Sequence, residues 1–187
     1  MVKAPVFGDK FALLRHSFSA VDPKAEGAYC EFGVATGTTI NYLASLTSRT
    51  WHGFDSFEGL PEDWRDGFGK GHFAQALPQV LSNVALHKGW FSDSLPAWKR
   101  EHPGPVLFLH MDADLYSSTR TVFEILGDRV VPGTVIQFDE FFNYPGWRQG
   151  ECKAFEEYAA QHHWTYEYIG YCENDEQVAV RITSVGP

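Results

Sequence analysis

Apolar and polar positions along this chain alternate between two periods, and each change of period predicts an element. Asp9 is placed to cap a helix carrying Phe11, Leu14 and Phe18 toward a core, stopped before Pro23. AYCEFGVATGTTINYLASL (28–46) reads as a short strand, a turn flanked by glycines, and a helix with Ile40, Leu43, Ala44 and Leu46 at helical spacing. WHGFD (51–55) is a second strand, and the polar, glycine-rich stretch 56–71 is a loop placed over a site. A helix near Phe73–Leu81 precedes a third strand, VALHKGWF (84–91). PVLFLHMD (105–112) is the fourth, followed by a helix capped by Ser117 or Ser118, running through Val122, Ile125 and Leu126, and stopped by Pro132-Gly133. TVIQFDEF (134–141) is the fifth strand, and GECKAFEEYAAQHH (150–163) a helix with Ala154, Phe155, Tyr158 and Ala159 on one face. WTYEYIGY and QVAVRIT then close the chain as an antiparallel pair.

Strands alternating with helices predict an α/β fold: a mostly parallel, seven-stranded sheet with helices on both faces and a C-terminal antiparallel pair. The division is one domain, 1–187, with an N-terminal helical segment (1–28) before a core at 29–187. In such sheets ligands gather at the carboxyl ends of the strands. Four of the five parallel strands end in acids: Glu31, Asp55, Asp112 and the pair Asp139-Glu140. If the topology holds, these acids converge on one edge.

The first turn, EFGVATG (31–37), puts Gly33 and Gly37 where a backbone can approach a ligand without a Cβ in the way. Its spacing is GxxxG. That removes the main support for a GxGxxG dinucleotide site, and no GxxxxGK[ST] phosphate loop is present. Asp55, alone, would be a loop cap. Together with the turn it suggests the acid that holds the ribose hydroxyls of a nucleoside. Thr38 and Ser56 sit beside these residues, and Gly89, Trp90 and Phe91 suit an adenine pocket.

Asp112, Asp139 and Glu140 are hard oxygen donors without Cys or His, a set suited to Mg²⁺ rather than zinc. Packed together without a cation they would repel one another; helix capping and loop solvation are the plain alternatives. Asp114 is either a general base beside that cluster or a helix cap. His110, sharing a face with Phe108, reads as a core histidine, His162-His163 as partners of a helix dipole, and Trp147 as either a mouth residue or a loop anchor.

Composition narrows the partners. Net charge is −9, which disfavours nucleic acid, and no apolar run approaches the roughly 20 residues of a membrane span. The N-terminus shows no secretory signal, and three widely spaced cysteines fit a reducing cytoplasm better than a disulfide framework.

The segments EFGVATG, GFDSFEGLP, HKGWFSDSLP, MDADLYSST and FDEF together resemble the macrocin O-methyltransferase family, from about Tyr29 to the C-terminus. The resemblance implies a Rossmann-like class I methyltransferase fold. It implies S-adenosylmethionine against Glu31, Gly33 and Gly37 with its ribose on Asp55, and Mg²⁺ on Asp112, Asp139 and the residue at 140. It also implies a base at Asp114 and a small-molecule hydroxyl acceptor, a sugar or vicinal diol; a homodimer is a separate possibility that the resemblance does not carry. Two departures stand out: Glu140 replaces the family's Asp, and a longer N-terminal region of the family is missing. Rival readings are a catechol-type methyltransferase, a metal-independent N-methyltransferase, a catalytically silent module of the same fold and, least favoured by the GxxxG turn, an NAD-dependent oxidoreductase.

Overall fold

The computed structural model describes residues 3–186. In chain order its elements are β1 (Val6–Phe7), α1 (Lys10–Ser19), β2 (Ala28–Phe32), α2 (Thr38–Ser45), β3 (Trp51–Asp55), β4 (Val84–Lys88), α3 (Phe91–Glu101), β5 (Val106–Met111), α4 (Tyr116–Leu126), β6 (Val130–Phe138), α5 (Glu151–Gln161), β7 (Thr165–Cys172) and β8 (Val178–Ser184). The strands form one sheet in the order β1-β7-β8-β6-β5-β2-β3-β4. From β4 to β6 neighbours are parallel, and β8 runs antiparallel to both β6 and β7. No described helix is long and apolar enough to cross a membrane.

Helices cover both faces, because β5 is buried throughout and apolar but for His110, so neither of its sides can face water. On one face Leu14 of α1 and Ile40, Leu43 and Ala44 of α2 pack with Phe108 and Trp51. On the other, Leu95 and Trp98 of α3, Val122 and Phe123 of α4, and Phe155 and Tyr158 of α5 pack with Leu109 and Met111. The chain leaves β2 outward through β3 and β4, then returns to place β5 on the opposite side of β2. That reversal opens a crevice beyond the carboxyl ends of β2 and β5. Gly33 makes the junction possible. Its φ is +90°, and a Cβ there would lie 1.7 Å from the Asp112 carbonyl oxygen.

The structure corrects several sequence expectations. The sheet has eight strands, not seven, because the two-residue β1 adds a parallel edge to β7. The N-terminal segment is therefore woven into the sheet, and Ser17 of α1 donates to Gln137 of β6 at 2.7 Å. No helix forms at 73–81. Phe73, Leu77 and Leu81 do recur at helical spacing, but Phe73 takes a left-handed φ of 69° and Pro78 disfavours helical Leu77. The stretch is tied instead to α2, where Asn41 accepts from Leu81 N–H at 2.9 Å and donates to the Gln79 carbonyl at 3.0 Å. The third strand ends at Lys88, and Phe91 begins α3, which carries Pro96 inside it. The helix after Asp114 begins at Tyr116 with Leu115, not a serine, at its N-cap. It ends before Gly127, whose missing side chain makes room for the Tyr158 hydroxyl. Pro132-Gly133 lies inside β6, at a register shift, and does not end a helix.

Candidate active site

A cavity of about 510 Å³ opens at the carboxyl edge of the sheet. Among its lining residues are Gly33, Asp55, Ser56, Gly89, Trp90, Phe91, Asp112, Asp114, Asp139 and Glu140. Leu60, Trp64, Arg65 and Phe73 from the β3–β4 loop form a further wall. Glu31, Gly37 and Thr38 do not line it.

On the β2–β3 side, the Asp55 carboxylate is braced by three backbone N–H groups. One oxygen accepts from Val34 N–H at 2.9 Å and Ala35 N–H at 2.8 Å; the other accepts from Phe57 N–H at 2.7 Å. Asp55 thus shapes both the glycine turn and the start of the loop above it. The peptide of Gly89 donates to the Asp55 carbonyl at 3.0 Å, which brings Gly89-Trp90-Phe91 alongside. Gly37 is the left-handed N-cap of α2, and the Thr38 hydroxyl contacts that of Thr36.

On the β5–β6 side the acids lack such partners. Asp139 Oδ1 and Glu140 Oε2 are buried and accept no hydrogen bond. Burial, then Asp139, raises the Asp112 carboxyl well above its ordinary range; burial, then Asp112 and Asp139, does the same to Glu140. Asp114 adopts a left-handed φ of 60°, a position a non-glycine residue holds only when its surroundings fix it. Burial lifts its carboxyl to about 7 against the opposing pull of Arg65. Asp139 differs. Burial pushes its carboxyl up, but His110 and Lys10 outweigh that and hold it below the usual range.

Three residues that the sequence did not mark as site residues, His110, Glu151 and Lys10, complete this wall. Glu31 and His110 are fully buried; His110 Nδ1 lies 3.0 Å from Glu31 Oε2, and its Nε2 faces Asp139 Oδ1 at 3.7 Å. Burial disfavours a charged ring, yet Asp139 and Glu31 on either side carry His110 to about 10, so it stands as an imidazolium between two carboxylates. His110 is therefore a core histidine that also neutralises the site's acids. Glu31, with Thr39 donating to it at 2.9 Å, acts through His110 rather than on the cavity. Glu151, buried at the start of α5, accepts from Ala113 N–H at 2.9 Å and Glu140 N–H at 3.3 Å. It fixes the spacing of the two acid-bearing strand ends. Lys10, from α1, donates to Asp139 Oδ2 at 3.1 Å. Only Glu151 offered a signal, an acid directly after a glycine at a helix start. Trp147 packs against the core under Arg148 and does not line the cavity.

The oxygen donors fit a hard divalent cation. Asp112 belongs to two compact triplets, one with His110 and Asp139, the other with Asp114 and Glu140; in each, one ligand atom per residue lies within 4.8 Å of the others. The expected trio of Asp112, Asp139 and Glu140 spans both. His110 offers a ring nitrogen to the first triplet, and the second is made of carboxylates alone.

Comparison with known proteins follows the same lines. The family model described as macrocin O-methyltransferase (TylF) matches residues 14–169. An 8-demethyl-8-(2,3-dimethoxy-alpha-L-rhamnosyl)-tetracenomycin-C 4'-O-methyltransferase from Streptomyces olivaceus is 32% identical over 141 residues, 62% of this chain and 53% of that protein. This chain thus spans about half the length of that curated relative. Among solved structures, CalS11, a calicheamicin methyltransferase, superposes with a TM-score of 0.74 at 22% identity, over 91% of this chain and 77% of the other. The O-methyltransferase NovP superposes with a TM-score of 0.69 at 23% identity, over 92% and 79%. At such identities the likeness is one of fold.

Proposed function

This chain belongs to the macrocin O-methyltransferase family, and we propose that it transfers a methyl group from S-adenosylmethionine to a hydroxyl of a small molecule, a sugar or other vicinal diol. The observation that carries the reading is the meeting, in one cavity, of the Asp55-braced glycine turn and the carboxylates of β5 and β6. The curated relative, named for O-methylation of a rhamnosyl-tetracenomycin, supports a sugar as acceptor.

The β2–β3 side would hold the nucleoside. Asp55 keeps the turn at Gly33–Ala35 open to it and sits where ribose hydroxyls can donate to its oxygens, while Trp90 and Phe91 offer apolar surface to the base. S-adenosylmethionine, when bound, supplies an electrophilic methyl on a sulfonium centre. Asp112, Asp139 and Glu140 would hold Mg²⁺ or a similar cation, which there would lower the pKa of an acceptor hydroxyl and align it. Buried, unpartnered oxygens on Asp139 and Glu140 support that assignment.

Asp114 is the proton acceptor in this reading. Its carboxyl, raised to about 7, is ionised in a growing fraction as pH passes that value, yet remains basic enough to take a proton from an acidified hydroxyl. Arg65 holds the loop over it, paired with Glu176 at 3.0 Å and stacked on Trp64 at 3.9 Å. Trp64, Leu60 and Phe73 give that side of the cavity an apolar lining. The remaining work is alignment of two reactants, which can contribute about 7–11 kcal/mol in well-oriented systems.

A reducing cytoplasm and a homodimer complete the reading. Three buried cysteines, none in a disulfide, support the first, and light scattering of the purified chain tests the second. The decisive experiment is calorimetry with S-adenosylmethionine followed by incubation with vicinal-diol sugars and mass spectrometry. A methyl gain on a sugar, abolished by EDTA, is the expected result; no heat at millimolar cofactor would sink the proposal.

A further inference from the structure

Lys10 is the first residue of α1, yet its ammonium group sits against a carboxylate 129 residues further along the chain. Its Nζ lies 3.1 Å from Asp139 Oδ2, and its side chain lines the cavity together with Asp112, Asp114 and Glu140. The placement is built. Asp9 caps the helix through Ala12 N–H at 2.9 Å, and Leu13 and Leu14 are buried against the sheet. The Ser17–Gln137 bond fixes α1 to β6, the strand that ends in Asp139.

Asp139 therefore has a nitrogen on each side: Lys10 Nζ at Oδ2 and His110 Nε2 facing Oδ1. His110 is locked between two acids and cannot leave. Lys10 can, because a lysine is a compact charge on a flexible stem and its side chain is about one-third exposed. An ammonium and a divalent ion drawn to the same carboxylate, a few ångströms apart in a partly desolvated site, repel each other strongly. Both cannot remain.

Resting on the reading of this cluster as a cation site, we propose that Lys10 is a built-in competitor for it: its ammonium group and a divalent ion exclude one another at Asp139. Entry of the ion displaces the lysine and frees the first turn of α1, so metal affinity is set by a residue far outside the acid motifs. The freed ammonium then points into the acceptor side of the cavity, where it can donate to a substrate oxygen.

The test uses Mn²⁺ as probe, with binding measured by electron paramagnetic resonance on the full chain, its Lys10→Met variant and its Lys10→Arg variant. Lys10→Met keeps the apolar stem and should bind Mn²⁺ about tenfold more tightly or better, whereas Lys10→Arg, which keeps the charge, should remain within about threefold of wild type. Hydrogen exchange across the first turn of α1 should quicken when Mn²⁺ is added to wild type and ignore it in Lys10→Met. Equal or weaker Mn²⁺ binding by Lys10→Met, or exchange in wild-type α1 that ignores the ion, overturns the proposal. If all three proteins bind S-adenosylmethionine but none binds Mn²⁺, the competitor role falls while methyl transfer stands. If none binds S-adenosylmethionine, the functional reading itself falls.

Discussion

The two walls of the cavity carry carboxylates in opposite conditions. Asp55, at the end of β3, accepts three backbone N–H bonds and is satisfied by the chain alone. Asp139 and Glu140, at the end of β6, each keep a buried oxygen with no donor. The first arrangement is finished when the protein folds: the acid pins a turn, and the turn is the binding surface. The second holds several negative groups whose mutual repulsion is only partly relieved by His110 and Lys10. A wall that is complete suits a ligand bound by shape and hydrogen bonds; a wall short of positive charge suits a cation and the chemistry it assists.

The largest effect should come from an acid just beyond the end of β5. Replacing Asp114 by Asn removes the proposed base, and turnover should fall by about 10²–10⁴-fold. Binding of S-adenosylmethionine, measured by calorimetry, should be unchanged. Because a carboxyl raised to about 7 must lose its proton to act, wild-type kcat should climb as pH rises through about 7. That limb should vanish in Asp114→Asn. A fully active variant would remove Asp114 from the reaction.

Next in size are paired substitutions that separate the walls. Asp139→Ala should raise the Mg²⁺ concentration needed for half-maximal activity by about 10- to 100-fold, at least what losing an outer-shell partner of a metal costs. An unchanged Mg²⁺ dependence would count against Asp139 as a ligand. Asp55→Ala removes charge-assisted hydrogen bonds worth about 1.5–3 kcal/mol each, part of which water recovers, so S-adenosylmethionine should bind about tenfold more weakly. Mg²⁺ affinity should scarcely move. If it fell equally, the two walls would not be the independent devices described above.

How far these walls were legible in the sequence follows from their physics. Acids at the ends of apolar runs can be read directly, since a buried strand tolerates them only at its exit; Asp55, Asp112, Asp139 and Glu140 all line one cavity. The parallel sheet and its closing antiparallel pair were readable from the same runs. Lys10 was not, because nothing in a helix's own pattern says which distant acid its first residue will meet. His110 was read as packing, which is half of what it does, since pairing with Glu31 needs the register of β2 against β5. α3 escaped because Trp90 and Phe91 extend an apolar strand pattern and Pro96 interrupts a helical one. The absent helix at 73–81 is the converse error: apolar spacing was right for a helix, but a proline and a left-handed residue decided otherwise.

The smallest effect sets the cavity against a second cluster, at the β3–β4 edge. There His52 Nδ1 contacts His87 Nε2 at 3.1 Å, and the His52 ring packs on His102 and Trp98. Burial, then the neighbouring histidines, lowers His52 to about 4; burial, then His102, lowers His87. A depressed histidine favours folding when neutral, so its contribution is complete above the unfolded value near 6.5 and is lost as pH falls toward 4. The cavity's acids act in the opposite sense. Burial first, relieved in part by hydrogen bonds from Ala113 and Glu140, leaves Glu151 at about 8, and Asp114 stands at about 7. Protonated, these groups favour folding below the ordinary carboxylate range, and that contribution is lost as pH rises through 7 and 8. The two ends of the sheet therefore offset one another in any single melting curve, and a wild-type profile cannot separate them. A difference can. His52→Asn should flatten only the acidic limb: between pH 7 and 5 the wild type should lose about 1 kcal/mol more than the variant, after allowance for partial exposure, or about 2–4 °C in Tm. Parallel curves for the two proteins over that interval would show that the histidine cluster is neutral to folding and that the pH response belongs to the cavity alone.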